Sequence, residues 1–144
     1  MTLEPITGQD FVALAEFRYQ IRKFLHFSEQ AARNAGIEPQ QHQLLLAIKG
    51  LAESQQEPSI GLLAERLQLQ HHSTGELVDR LEERGMVSRS RAPADRRQVL
   101  IHLTASGEGE LEKLTACSLA ELRTNGPALV RALEAVIRRS HGTH

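Results

Sequence analysis

From Arg84 to Arg97 the chain carries five arginines, at positions 84, 89, 91, 96 and 97, against one acid, Asp95. A guanidinium offers a planar fork of donors that matches phosphate oxygens, and it can enter a narrow, negative DNA minor groove when held extended. Asp95 and Arg97 alternate along this stretch and are spaced for a bidentate pair that would hold Arg97 in such a pose. The local excess is four positive charges in a chain whose 17 Lys and Arg against 18 Asp and Glu leave a formal net charge of −1. Any nucleic-acid footprint must therefore be local, and the competing reading of the stretch is a solvated charged turn.

A second constellation precedes it in "QHHSTGELVDRLEERG". Thr74, Leu77, Val78 and Leu81 fall at i, i+3, i+4 and i+7, so they face inward on a helix. His72, Glu76, Asp79 and Glu83 then face outward. Gln70, His71, His72 and Ser73 occupy the first turn and its approach, where side chains and backbone N–H groups can reach base edges and phosphate. Thr74 is shared between reading and packing, and Arg80 adds a cation. Glu76 either accepts a hydrogen bond from cytosine N4 or pairs with Arg80 one turn later, and the second is favoured. A positive charge on His71 or His72 would make this acidic face more favourable to DNA.

Other chemistries find less support. His71 and His72 point in different directions, and His26, His42 and His102 complete no ligand spacing, so no metal is expected. There is no Gly-rich phosphate loop and no nucleophile elbow; neither an enzyme nor a cofactor is expected. Cys117 is the single cysteine, within a helical stretch where a thiol usually behaves as a small hydrophobe. No signal peptide or membrane span is read, and a cytoplasmic location is expected.

These groups need positioning. Thr7 with Asp10 forms a capping-box-like start to a first helix whose Phe11, Leu14, Phe17, Ile21, Phe24 and Leu25 are spaced by threes and fours up to Gly36. All five aromatic residues lie between Phe11 and Phe27. Pro39 opens a second helix that closes around Gly50 to Glu53, and Ser59 caps a short third one. The fourth helix ends at Gly85. "MVSRS" and "QVLIHL" read as a hairpin around a loop containing Pro93, with Val99, Ile101 and Leu103 alternating against Leu100 and His102. Thr104 caps a fifth helix, Gly126 and Pro127 are expected to break it, and a sixth carries Leu129, Val130, Leu133, Val136 and Ile137 on one stripe.

Two short helices followed by a hairpin is the order of a winged helix-turn-helix, with the fourth helix for the major groove and the wing beside it. The order of elements, the segment "LLAERLQLQHHSTGELVDRLEERGMVSR" and above all "PADRRQVLIHLTASG" resemble the MarR family of bacterial transcriptional regulators, over essentially the whole chain. The matching wing positions are Asp95, Arg97, Leu103, Thr104 and Gly107. The resemblance implies a mainly α fold, one MarR-like domain over residues 1–144. Within it lie a winged helix-turn-helix lobe at 57–104 and dimerisation helices at 1–36 and 105–144. It further implies a homodimer on a pseudo-palindromic operator, most commonly as a repressor. The DNA-binding residues would be Gln70, His71, His72, Ser73, Thr74, Arg80, Arg89, Arg91, Asp95, Arg96 and Arg97. A small aromatic or anionic effector is also implied, in a pocket bordered by helices 1, 2 and 5 near Phe24 and Phe27, although an aromatic stripe at helical spacing also serves as plain core. The wide apolar surface of the first helix agrees with a dimer. The alternative is a winged-helix module for protein contact, which would lack the steep salt dependence of DNA binding.

Overall fold

The computed structural model describes residues 4–140, with the side chains of 139 and 140 excepted. Five helices and one hairpin follow in the order α1 (Gly8–Asn34), α2 (Pro39–Glu53), α3 (Ile60–Leu67), α4 (His71–Glu83), β1 (Val87–Arg91), β2 (Val99–Leu103) and α5 (Ala105–Ser140). The ends are set by local chemistry. The Thr7 N–H donates to the Asp10 carboxylate at 2.9 Å at the start of α1, and α1 stops before Gly36, whose φ of 77° suits a residue without Cβ. Glu38 and Gln41 form a capping box ahead of α2, with Pro39 in its first turn. Ser59 Oγ accepts from the Leu62 N–H at 3.3 Å at the head of α3. Gly85, at φ 73°, turns the chain out of α4 into β1.

The strands pair antiparallel, with Val87 opposite Leu103, Arg89 opposite Ile101 and Arg91 opposite Val99. Ser59 adds an isolated bridge to Leu100, and the Ile101 N–H donates to the Pro58 carbonyl at 2.9 Å. This third chain explains a departure from the expected alternation, since Leu100 and Ile101 are both buried. β2 is covered on both sides and reads as a central strand.

Two compact units emerge. One comprises Ala31–Thr115; the other comprises the described residues up to Gln30 with those from Ala116 onward. The first holds the core of Ile37, Leu44, Leu45, Ile48, Leu63, Leu77, Val78, Leu81, Ile101, Leu111 and Leu114. Thus α2 and the start of α5 belong to the same packed body as α3, α4 and the hairpin. The second unit buries mainly small or polar residues, Ala13, Gln20, Ser28 and Ala132. Many of its large apolar side chains are left outward: Phe11 is 68% exposed and Val130 57%, with Val12, Leu14, Tyr19, Leu25, Leu119 and Leu133 also exposed, whereas Phe17, Ile21, Phe24, Phe27, Leu122 and Leu129 are half-buried.

The expected break at Gly126 and Pro127 is corrected by the structure, because α5 runs through both. A proline inside a helix removes one backbone bond and crowds the preceding residue. Gly126 has no Cβ for the ring to strike, and Leu122, Leu129 and Leu133 keep helical phase across the site, so one continuous helix replaces the expected fifth and sixth. Among the described residues no helix is long and apolar enough to cross a membrane.

Candidate nucleic-acid interface

The first turn of α4 is open to solvent. Gln70 is its N-cap with an extended backbone, and Gln70, His71 and His72 are exposed while Ser73 is half-buried. Thr74, expected to divide its role, is fully buried and its Oγ1 donates to the Gln70 carbonyl at 3.0 Å. Its hydroxyl is consumed inside the turn, so it packs and orients rather than presenting itself to a base. Leu77, Val78 and Leu81 are buried beside it. His72, Glu76, Asp79, Arg80 and Glu83 are exposed, as the helical phase predicts.

No Glu76–Arg80 ion pair forms among the described residues, against the favoured expectation. The acids that find a partner are instead Asp79 and Glu82, which lie three residues apart on one face of α4 and both meet Arg89 of β1. Arg89 Nη2 donates to Asp79 Oδ1 at 2.6 Å, and Nη1 donates to Glu82 Oε1. Hydrogen bonding to Asp79 pushes the Arg89 pKa above its ordinary value, against a smaller effect of burial. Arg84 is engaged as well, donating from Nη1 to Gln41 Oε1 at 3.1 Å and tying the end of α4 to the head of α2.

The wing loop closes through the Ala92 N–H to the Gln98 carbonyl and the Gln98 N–H to the Asp95 carbonyl, each at 2.9 Å. Asp95 Oδ1 accepts from the Arg97 backbone N–H at 3.1 Å and from its Nε at 3.4 Å. The expected bidentate pair is therefore replaced by a turn-type contact in which one carboxylate oxygen holds both the backbone and the side chain, because the two residues are only two apart. The Arg97 side chain remains 94% exposed, and its contact with Asp95 runs through Nε and not through either Nη group. Arg91 and Arg96 are exposed too. Of the five arginines in the stretch, Arg91, Arg96 and Arg97 thus keep donors for an anion. On the hairpin, Ser90 Oγ lies 2.7 Å from His102 Nε2, a contact that residue spacing did not single out.

The base of the wing is fastened by the Leu-Thr-Ala-Ser-Gly segment. Thr104 Oγ1 donates to the Gly85 carbonyl at 2.6 Å and accepts from the Gly107 N–H at 3.2 Å, while the Thr104 N–H donates to the Met86 carbonyl at 3.0 Å. One threonine therefore caps α5 and holds the end of α4. Lys49 joins α2 to the same helix start through Glu108 at 3.0 Å, with Glu53 at 3.1 Å, and these partners raise its pKa.

Phe24 lines a cleft with Gln20, Lys23, Glu121, Leu122, Asn125, Gly126 and Leu129, whose volume is about 10 Å³. That admits no more than a water. Phe27 is not among its lining residues. No group of histidine, cysteine and acidic side chains among the described residues could hold a metal ion, and Cys117 is exposed rather than packed.

Residues 35–98 match the family model described as the MarR family. A protein of Thauera aromatica named for a regulatory role at the hcr operon is 29% identical over 100 residues, which cover 67% of this chain and 56% of that protein. The chain thus spans little more than half of that relative. AbsC of Streptomyces coelicolor shares the fold with a TM-score of 0.72 at 19% identity, over 97% of this chain and 99% of its own. A mutant MarR of E. coli, solved with operator DNA, shares it with a TM-score of 0.65 at 22% identity, over 85% of this chain and 88% of its own. The helix-turn-helix and the first strand and loop of the wing thus fall within the segment that matches the MarR family model, and the fold along nearly the whole length is shared with AbsC.

Proposed function

We propose that this chain is a sequence-specific DNA-binding transcription regulator that acts as a homodimer on a pseudo-palindromic operator, most simply as a repressor. The observation that carries the reading is the placement, in one packed lobe, of an exposed helix start at Gln70–Ser73 and a hairpin that leaves Arg91, Arg96 and Arg97 with free donors. In this reading Gln70, His71, His72 and Ser73 reach base edges and phosphates in the major groove. Arg80 and Arg91 add phosphate contacts. Arg96 and Arg97 enter or border the minor groove, with Asp95 aiming Arg97. The E. coli neighbour, seen on operator DNA, supports the same use of the fold.

The homodimer rests on the unit formed by the first part of α1 and the last part of α5. Phe11, Leu14, Leu25, Val130 and Leu133 are apolar side chains that a lone chain leaves in water, and a self-complementary contact would remove them from it. Selection of duplexes from a random-sequence pool tests the function: the full chain should enrich an inverted repeat with half-sites about one helical turn apart. Enrichment of nothing above background would overturn it in favour of a protein-contact module.

A further inference from the structure

Five local arginines invite the assumption that all five meet DNA, and the geometry separates one of them. Both terminal nitrogens of Arg89 are used on α4, Nη2 by Asp79 and Nη1 by Glu82, and its side chain is only 31% exposed against 94% for Arg97. The hairpin gives a reason for this fastening. β2 is held by buried Leu100 and Ile101 and by the Pro58 and Ser59 backbone. β1, however, is exposed at every residue beyond Val87, and a two-stranded ribbon has little stiffness of its own. Arg89 stands at the middle of β1, opposite Ile101, and joins it to the face of α4 on which Asp79 and Glu82 are neighbours.

We propose that Arg89, Asp79 and Glu82 form a strut that sets the wing against the reading helix, with Arg89 a positioning residue that touches no DNA. This rests on the DNA-binding reading above. It also gives the acids of α4 a purpose: two negative charges near a phosphate backbone repel it, yet here they hold the part that brings the wing arginines to it.

The test uses the full chain and a duplex it has enriched from a random pool. Asp79→Asn with Glu82→Gln preserves shape at exposed positions, so the fold is retained, which the thermal midpoint verifies. Although two negative charges are removed, affinity should fall by roughly three- to tenfold with an unchanged salt slope. Hydroxyl-radical protection in the minor groove under the wings should weaken, while dimethyl sulfate protection of guanines under α4 persists. Arg89→Lys should give an intermediate footprint, since one ammonium does not span both acids. Tighter binding by the double variant with an intact wing footprint would overturn the strut and leave the acids as simple repulsion. A salt slope shallower by about 0.9 in Arg89→Met would equally overturn it, by making Arg89 a phosphate ligand. Failure of the wild-type chain to enrich any duplex would remove the DNA reading itself, an outcome distinct from both.

Discussion

Gly107 lies directly against the Met86 backbone, so that a Cβ at this position would collide with the Met86 carbonyl oxygen and come within 3.1 Å of its carbon. That carbonyl already accepts the Thr104 N–H, so neither side can yield without loosening the joint between the end of α4, the base of the wing and the start of α5. Gly107→Ala should destabilise the fold by about 1–3 kcal/mol. Thr104→Ala should cost about 1 kcal/mol through loss of the cap, together with the bond to Gly85. Urea unfolding measures both, and an unchanged midpoint for Gly107→Ala would contradict the close approach.

His42 makes the fold sensitive to acid. It is buried on α2 with Nδ1 lacking a hydrogen-bond partner, and burial lowers its pKa from 6.5. Its neutral form is therefore favoured in the folded chain, while the unfolded chain takes up a proton as pH falls through about 6.5. Stability contributed by keeping His42 neutral is fully present above that pH and declines as pH falls toward the lower folded value. The urea midpoint should drop between about pH 7.5 and about pH 5.5, and His42→Leu should reduce that drop. An equal drop in the variant would assign the acid sensitivity to other groups.

Self-association should depend on the outward apolar residues of α1 and α5. Leu133→Asp or Phe11→Asp places a charge where the proposed homodimer buries a hydrophobe, and should weaken dimerisation by at least about 2 kcal/mol. Sedimentation equilibrium measures the change; a dimer unaffected by both substitutions would move the interface elsewhere.

Much of this arrangement is legible in the residues. Periodicity with a glycine stop places α4, since Thr74, Leu77, Val78 and Leu81 are all buried and Gly85 adopts the positive φ its position requires. Alternation and a proline-containing loop place the wing. The Gly126-Pro127 pair misleads because each residue alone ends helices, whereas together the missing Cβ relieves the ring. The burial of Leu100 escapes a pattern with period two because it depends on the chain at Pro58 and Ser59 folding back on β2. The partners of Arg89 are ten and seven residues away on another element, so sequence spacing offers only a hint, two acids three apart with an arginine following. Glu76 and Arg80 have the spacing of a pair without forming one, because exposed side chains at that distance gain only a few tenths of a kcal/mol from pairing.

Contact of the wing arginines with phosphate and groove carries the proposed function. Its most direct measurement is affinity for an enriched duplex as a function of salt, for the full chain beside Arg97→Ala. Log affinity should fall steeply and linearly with log salt, and Arg97→Ala should bind much more weakly, with a slope reduced by about 0.9. Equal affinity and equal slope in the variant would contradict it.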